Sequence, residues 1–96
     1  MLILVTYDVN TMNSDGKRRL RQVAKRCVAH GTRVQNSVFE CLLDSTQYKL
    51  LKHELEGIID PHLDSLRLYT LGNNYQGKVT HIGAKEIYDV EGELIL

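Results

Sequence analysis

Residues 2–7, Leu-Ile-Leu-Val-Thr-Tyr, form an unbroken run of apolar or β-branched side chains that stops at the carboxylate of Asp8. No solvent-facing residue alternates among them, and the run is too short to cross a membrane. Such a pattern predicts a strand covered on both faces, with helices on one side of its sheet and a second layer on the other. The polar stretch 9–16 that follows reads as a loop.

The period then becomes helical. Leu20, Val23, Ala24, Cys27 and Val28 fall on one stripe, predicting an amphipathic helix over 14–29. Ser14 or Asp15 is expected to cap its start, and Gly31 after His30 to close it in the left-handed conformation. Residues 32–35 and 38–43 read as two strands joined by a tight polar turn at Asn36-Ser37. Asp44-Ser45 opens a second helix with apolar Tyr48, Leu51, Leu55, Ile58 and Ile59, stopped by Asp60-Pro61. Leu66 and Leu68, alternating with Arg67 and Tyr69, predict a fourth strand over 65–71, and a short fifth is expected over 79–82. In the last ten residues acids separate Ile87, Tyr88 and Val90 from a final Leu94-Ile95-Leu96. An apolar end of this kind predicts a strand laid against a neighbouring sheet, that of a second subunit included.

Strand, helix, strand, strand, helix, strand is the split βαβ order of an α+β, ferredoxin-like domain, here with an extra C-terminal strand. Its helices cover one face of the sheet. A two-fold partner packed sheet to sheet is the expected cover for the other, giving a homodimer. The whole chain, 1–96, reads as one domain, with 84–96 an extension expected to pair with the partner subunit.

Composition narrows the class. A chain of 96 residues buries about two-thirds of its unfolded surface, so a second copy would help cover the rest. With 43% hydrophobic and 25% charged residues the chain has the profile of an ordinary soluble protein. It lacks a basic leader, so a cytoplasmic location is expected. Cys27 and Cys41 lack metal-ligand spacing and read as reduced, buried thiols. The formal net charge is zero, which argues against generic nucleic-acid binding, but the charges are segregated. Seven of the twelve Lys and Arg lie between Gly16 and Phe39, a window without Asp or Glu. Lys17, Arg18, Arg21 and Lys25 share a face of the first helix, with Arg19 and Arg26 further round. That face is either a solvated surface or a contact for phosphates; with no acids interspersed, its like charges repel and a polyanion would neutralise them.

No nucleophile–base set is visible. Ser37, Ser45 and Ser65 lack a glycine-rich elbow, His30, His53, His62 and His81 are dispersed, and neither a dinucleotide fingerprint nor a P-loop occurs. Asp8, at the end of the central strand, is the leading site candidate; its alternative is a loop or helix-capping aspartate. One Asp is a poor cation site alone. A two-fold axis, however, brings such a residue to its own copy, and two carboxylates brought close repel unless a cation or proton lies between them. Mg²⁺ suits such a site, since it takes one or two carboxylates and keeps several waters. A water acidified by the metal is a nucleophile for a phosphodiester.

Residues 4–9 (Leu-Val-Thr-Tyr-Asp-Val), the block Arg33-Val-Gln-Asn-Ser-Val-Phe-Glu-Cys41, Leu71-Gly-Asn-Asn-Tyr75 and His81-Ile-Gly-Ala-Lys85 together resemble the CRISPR-associated Cas-two family. The last two blocks resemble its type I-C branch. The resemblance implies a homodimeric, ferredoxin-like protein of antiviral defence, an endonuclease dependent on Mg²⁺ (or Mn²⁺) that acts on single-stranded RNA or duplex DNA. It also implies a partnership with the Cas-one integrase in spacer acquisition. The family's metal position matches Asp8, and Tyr7, Arg33 and Phe39 match positions linked to nuclease activity. The basic start of the first helix matches too, through Lys17, Arg18 or Arg19. Two alternatives stay open: a non-catalytic DNA-gripping scaffold for the integrase, and a toxin-type ribonuclease of similar fold.

Overall fold

The computed structural model describes residues 1–83. Strand β1 (Leu2–Asp8) is hydrogen-bonded on both sides, to β3 (Val38–Leu42) and to β4 (Ser65–Gly72). Strand β2 (Thr32–Gln35) pairs with the outer side of β3, so the sheet order is β2-β3-β1-β4 with every neighbouring pair antiparallel. With helices α1 (Ser14–His30) and α2 (Ser45–Ile58) in the two crossovers, this is the ferredoxin-like order expected above.

Alternation divides the sheet into two unlike faces. Ile3, Val5 and Tyr7 of β1 and Phe39 and Cys41 of β3 join Val23 and Cys27 of α1 and Leu51 and Leu55 of α2 in one core. Burying a side chain of Leu or Phe size stabilises the fold by about 1.5–3 kcal/mol. On the opposite face Leu4 and Thr6 are half-buried and Asp8 is exposed, so the apolar run is sealed on one side and partly open on the other.

Three local expectations are corrected. Asn13, rather than Ser14 or Asp15, caps α1: its backbone is extended and its Oδ1 accepts the Gly16 amide at 2.9 Å. All three residue types are good caps, and the bend of the preceding loop decides among them. Gly31 is extended, not left-handed, at φ −163°. Its lack of a side chain answers to space, since a Cβ there would run into Cys41 Sγ and the Glu40 carbonyl oxygen. Residues 79–82 form no strand, and Val79 and Ile82 are exposed. A turn at 75–78, closed by the Lys78 amide on Tyr75 O at 3.0 Å, precedes them, and among the described residues no strand pairs with them. The expected extension over 84–96 lies outside the described residues.

Helix α2 opens as expected at Asp44, with a reciprocal cap. The Gln47 amide donates to Asp44 Oδ1 at 2.7 Å and the Asp44 amide to Gln47 Oε1 at 2.9 Å.

A second device ties the elements around the carboxyl end of β1. The Asp64 side chain is fully buried and accepts Arg19 Nε at 2.8 Å, Arg19 Nη2 at 3.2 Å, and the Asn10 and Asp60 amides at 3.0 and 2.8 Å. One carboxylate thus joins the β1–α1 loop, the first turns of α1 and the approach to β4. The Arg19 guanidinium beside it, helped by the two amides, holds the Asp64 carboxyl below the usual carboxylate range.

Candidate active site and nucleic-acid interface

Asp8 stands at the carboxyl end of β1, exposed, on the face turned away from the helices. Its register partner on β4 is Ser65, also exposed, and the next pair on the same face is Thr6 with Arg67. On the other side the Tyr7 amide donates to Ser37 O at 3.2 Å, bringing the β2–β3 turn alongside. Antiparallel pairing therefore sets the short polar side chain of Ser65 opposite Asp8. Among the described residues no group of three or more His, Cys, Asp or Glu is placed to hold a metal. Asp64, though near in the fold, is spent on Arg19 and two amides. Among the described residues, a single copy of this end of the sheet thus offers Asp8 as its exposed carboxylate.

Tyr7 and Asp8 are consecutive on a strand and so point to opposite faces. Tyr7 stacks on Phe39 with ring centroids 6.2 Å apart at 21°, and Arg33 Cζ lies 5.1 Å from the Phe39 centroid. Phe39 is fully buried and Tyr7 nearly so, whereas Arg33 is exposed on the edge strand. The Tyr7 hydroxyl donates to Asn36 O at 3.4 Å. Burial, reinforced by the Cys27 thiol, pushes the phenol above its ordinary pKa against the pull of Arg33, so it stays protonated near neutrality. Tyr7, Phe39 and Arg33 are thus brought together under the helices, and Asp8 is not among them. The same core raises Cys27 to about 12 and Cys41 to about 11, chiefly by burial, leaving both as inert thiols.

The basic residues of α1 separate by what holds them. Arg19 is committed to Asp64, Arg18 lies 3.6 Å from Asp15 in an exposed pair, and Arg26 lies 3.3 Å from Glu54 of α2. Lys17, Arg21 and Lys25 recur every fourth residue on one exposed row, and none makes an ion pair among the described residues. Pattern reading placed these residues on one helix. It missed the partner of Arg19, which is 45 positions distant in the chain, and the nearness of Ser65 and Arg67 to Asp8, which only the strand register reveals.

Among the described residues no helix is long and apolar enough to cross a membrane. A family model described as CRISPR associated protein Cas2 matches residues 1–79. The "CRISPR-associated endonuclease Cas2" of Halalkalibacterium halodurans is 60% identical over 95 residues, 99% of either chain. The "CRISPR-associated endoribonuclease Cas2" of Chlorobaculum tepidum is 58% identical over the full length of both. The crystal structure of Streptococcus pyogenes Cas2 at pH 6.5 superposes with a TM-score of 0.75 at 53% identity, covering 86% of this chain and all of that one. Residues, fold and relatives agree: the chain belongs to the CRISPR-associated protein Cas2 family.

Proposed function

We propose that the protein is a CRISPR-associated endonuclease that hydrolyses phosphodiester bonds in single-stranded RNA or duplex DNA with Mg²⁺, and takes part in spacer acquisition. The observation that carries this is the placement of Asp8: an exposed carboxylate ending the central strand, on the face the helices leave uncovered. The relatives named endonuclease and endoribonuclease support hydrolysis, and their CRISPR-associated names favour it over the toxin reading. The working form is a homodimer packed through its sheets. Half-buried Leu4, Val38 and Leu42 on the uncovered face give such packing an apolar surface.

The donor set fits Mg²⁺ in such a dimer. One hard carboxylate per chain, doubled by symmetry and without an ion pair among the described residues, matches a cation that keeps most of its waters; Mn²⁺ would fit the same oxygens. Asp8 and its copy would hold the ion, which when bound supplies Lewis-acid charge and an acidified water. The other residues act on the substrate. Lys17, Arg21 and Lys25 meet successive phosphates and release their counterions, with Arg18 beside them. Arg33, seated over Phe39, presents its charge at the sheet edge, while the neutral phenol of Tyr7 fixes the turn next to Asp8.

A second reading is a non-catalytic scaffold that grips duplex DNA for the Cas-one integrase, favoured by the row on α1 that makes no ion pair among the described residues. The two are separated by titrating Mg²⁺ against cleavage with wild type and Asp8→Ala, alongside spacer acquisition in cells. The nuclease reading expects cleavage to fall to background in the variant and in excess chelator; unchanged cleavage refutes it. Acquisition that survives Asp8→Ala but fails on neutralising Lys17, Arg18 and Arg21 supports the scaffold.

A further inference from the structure

We propose that Arg67 is a further catalytic residue of the Asp8 site, contacting a non-bridging oxygen of the phosphodiester being cleaved. This rests on the nuclease reading above. The register places Ser65 opposite Asp8 and Arg67 opposite Thr6, so Asp8, Ser65, Thr6 and Arg67 share the uncovered face. Arg67 is the diagonal neighbour of Asp8, a separation of about 7–8 Å between backbones that long side chains bridge. The diagonal between them is flanked by the short side chains of Ser65 and Thr6, which leaves room for a phosphate group. A larger residue at 65 would fill that gap.

The guanidinium is exposed and pairs with no carboxylate among the described residues. It is parked along its own strand: Nη1 donates to the Tyr69 hydroxyl oxygen at 3.1 Å and Cζ lies 6.0 Å from the Tyr69 ring. Among the described residues, one neutral acceptor and one exposed ring leave most of its donors for an anion, and the planar fork of Arg matches two phosphate oxygens at once. Asp8 is itself an anion that a phosphate must approach. A cation one pair away on the same face offsets that repulsion and meets the charge that grows on the phosphoryl oxygens as the bond to the attacking oxygen forms. The α1 row cannot do this, because it lies on the helix layer on the other side of the sheet.

The test compares Arg67→Ala, Arg67→Gln and Arg67→Lys with wild type and Asp8→Ala, using an end-labelled duplex DNA and a single-stranded RNA of the same sequence with Mg²⁺. Binding is measured by anisotropy, assembly by light scattering and folding by thermal melting. The proposal expects kcat to fall on the order of 10²-fold in Arg67→Ala and Arg67→Gln while Kd moves by less than about threefold and the dimer and melting point hold. Arg67→Lys, which keeps the charge but not the fork, recovers part of the rate. Wild-type rates in Arg67→Ala or Arg67→Gln, alongside an inactive Asp8→Ala, would overturn the assignment and leave the nuclease reading standing. A rate loss in all three variants that follows loss of the dimer overturns it too, since Arg67 would then be an interface residue. Cleavage indifferent to Asp8→Ala removes both.

Discussion

Replacing Asp64 by Ala should cost far more than an ordinary substitution beside a loop. The carboxylate accepts two backbone amides, those of Asn10 and Asp60, besides the Arg19 guanidinium, and its side chain has no exposed surface. An orphaned buried donor costs about 1–3 kcal/mol, so losing the acceptor of both amides amounts to about 3 kcal/mol before Arg19 is considered. In a domain whose whole stability is about 5–15 kcal/mol this is a large share, and it lowers Tm on the order of 15 °C. The assay is urea unfolding followed by far-UV circular dichroism at one protein concentration, since dimerisation would couple the midpoint to concentration. The expected signature is a lower midpoint at unchanged slope. The pH dependence follows from the direction of the shift. Asp64 titrates below its unfolded value in the folded protein, so its contribution is present above the unfolded carboxylate pKa, about 4. It is lost as pH falls through the depressed folded value. Wild type and variant should therefore differ at neutral pH and converge in acid. A difference under about 0.5 kcal/mol at neutral pH, the scale of a surface substitution, would refute the account of Asp64 as the tie between three segments, as would a difference that acid leaves unchanged.

Removing Lys17, Arg21 and Lys25 together should flatten the dependence of log Kobs on log salt by about 2 to 3 for duplex DNA, at about 0.9 per phosphate contact; a slope equal to wild type rules out the row as the grip. Gly31→Ala should destabilise by about 1–3 kcal/mol through overpacking against Cys41 and the Glu40 carbonyl. Gly57→Ala, on α2 with open space where its Cβ would stand, should instead stabilise by about 0.5–1 kcal/mol; equal melting shifts of one sign would discount the steric reading. Cys27 and Cys41, raised to about 12 and 11 and buried, should resist thiol reagents in the native protein and react on unfolding in urea. Rapid native labelling would show that the core opens there.

Much of this architecture was readable from residue pattern because the signals are local. The run ending at Asp8, the stripe from Leu20 to Val28 and the cap at Asp44 each carry their reason within a few positions. What pattern reading missed depends on segments meeting in space. Arg19 reads as one more base on a basic helix, and only its pairing with Asp64, 45 positions away, sets it apart from the exposed row. Gly31 looked like a helix terminator, while the space it preserves is set by Cys41 on another element. Residues 79–82 carry a β-favouring composition and, among the described residues, have no ladder to join. The separation of Tyr7 from Asp8 was available in principle from the two-residue period of a strand, yet matching both to one functional set hid that they face opposite ways.

That parity also limits how the central strand can change. Because Ile3, Val5 and Tyr7 look inward and Asp8 outward, inserting or deleting a single residue within the strand would turn the carboxylate in among the aromatic rings and lift the phenol out into water. Length changes here have to come in twos, so point substitution is the main route by which this face can drift.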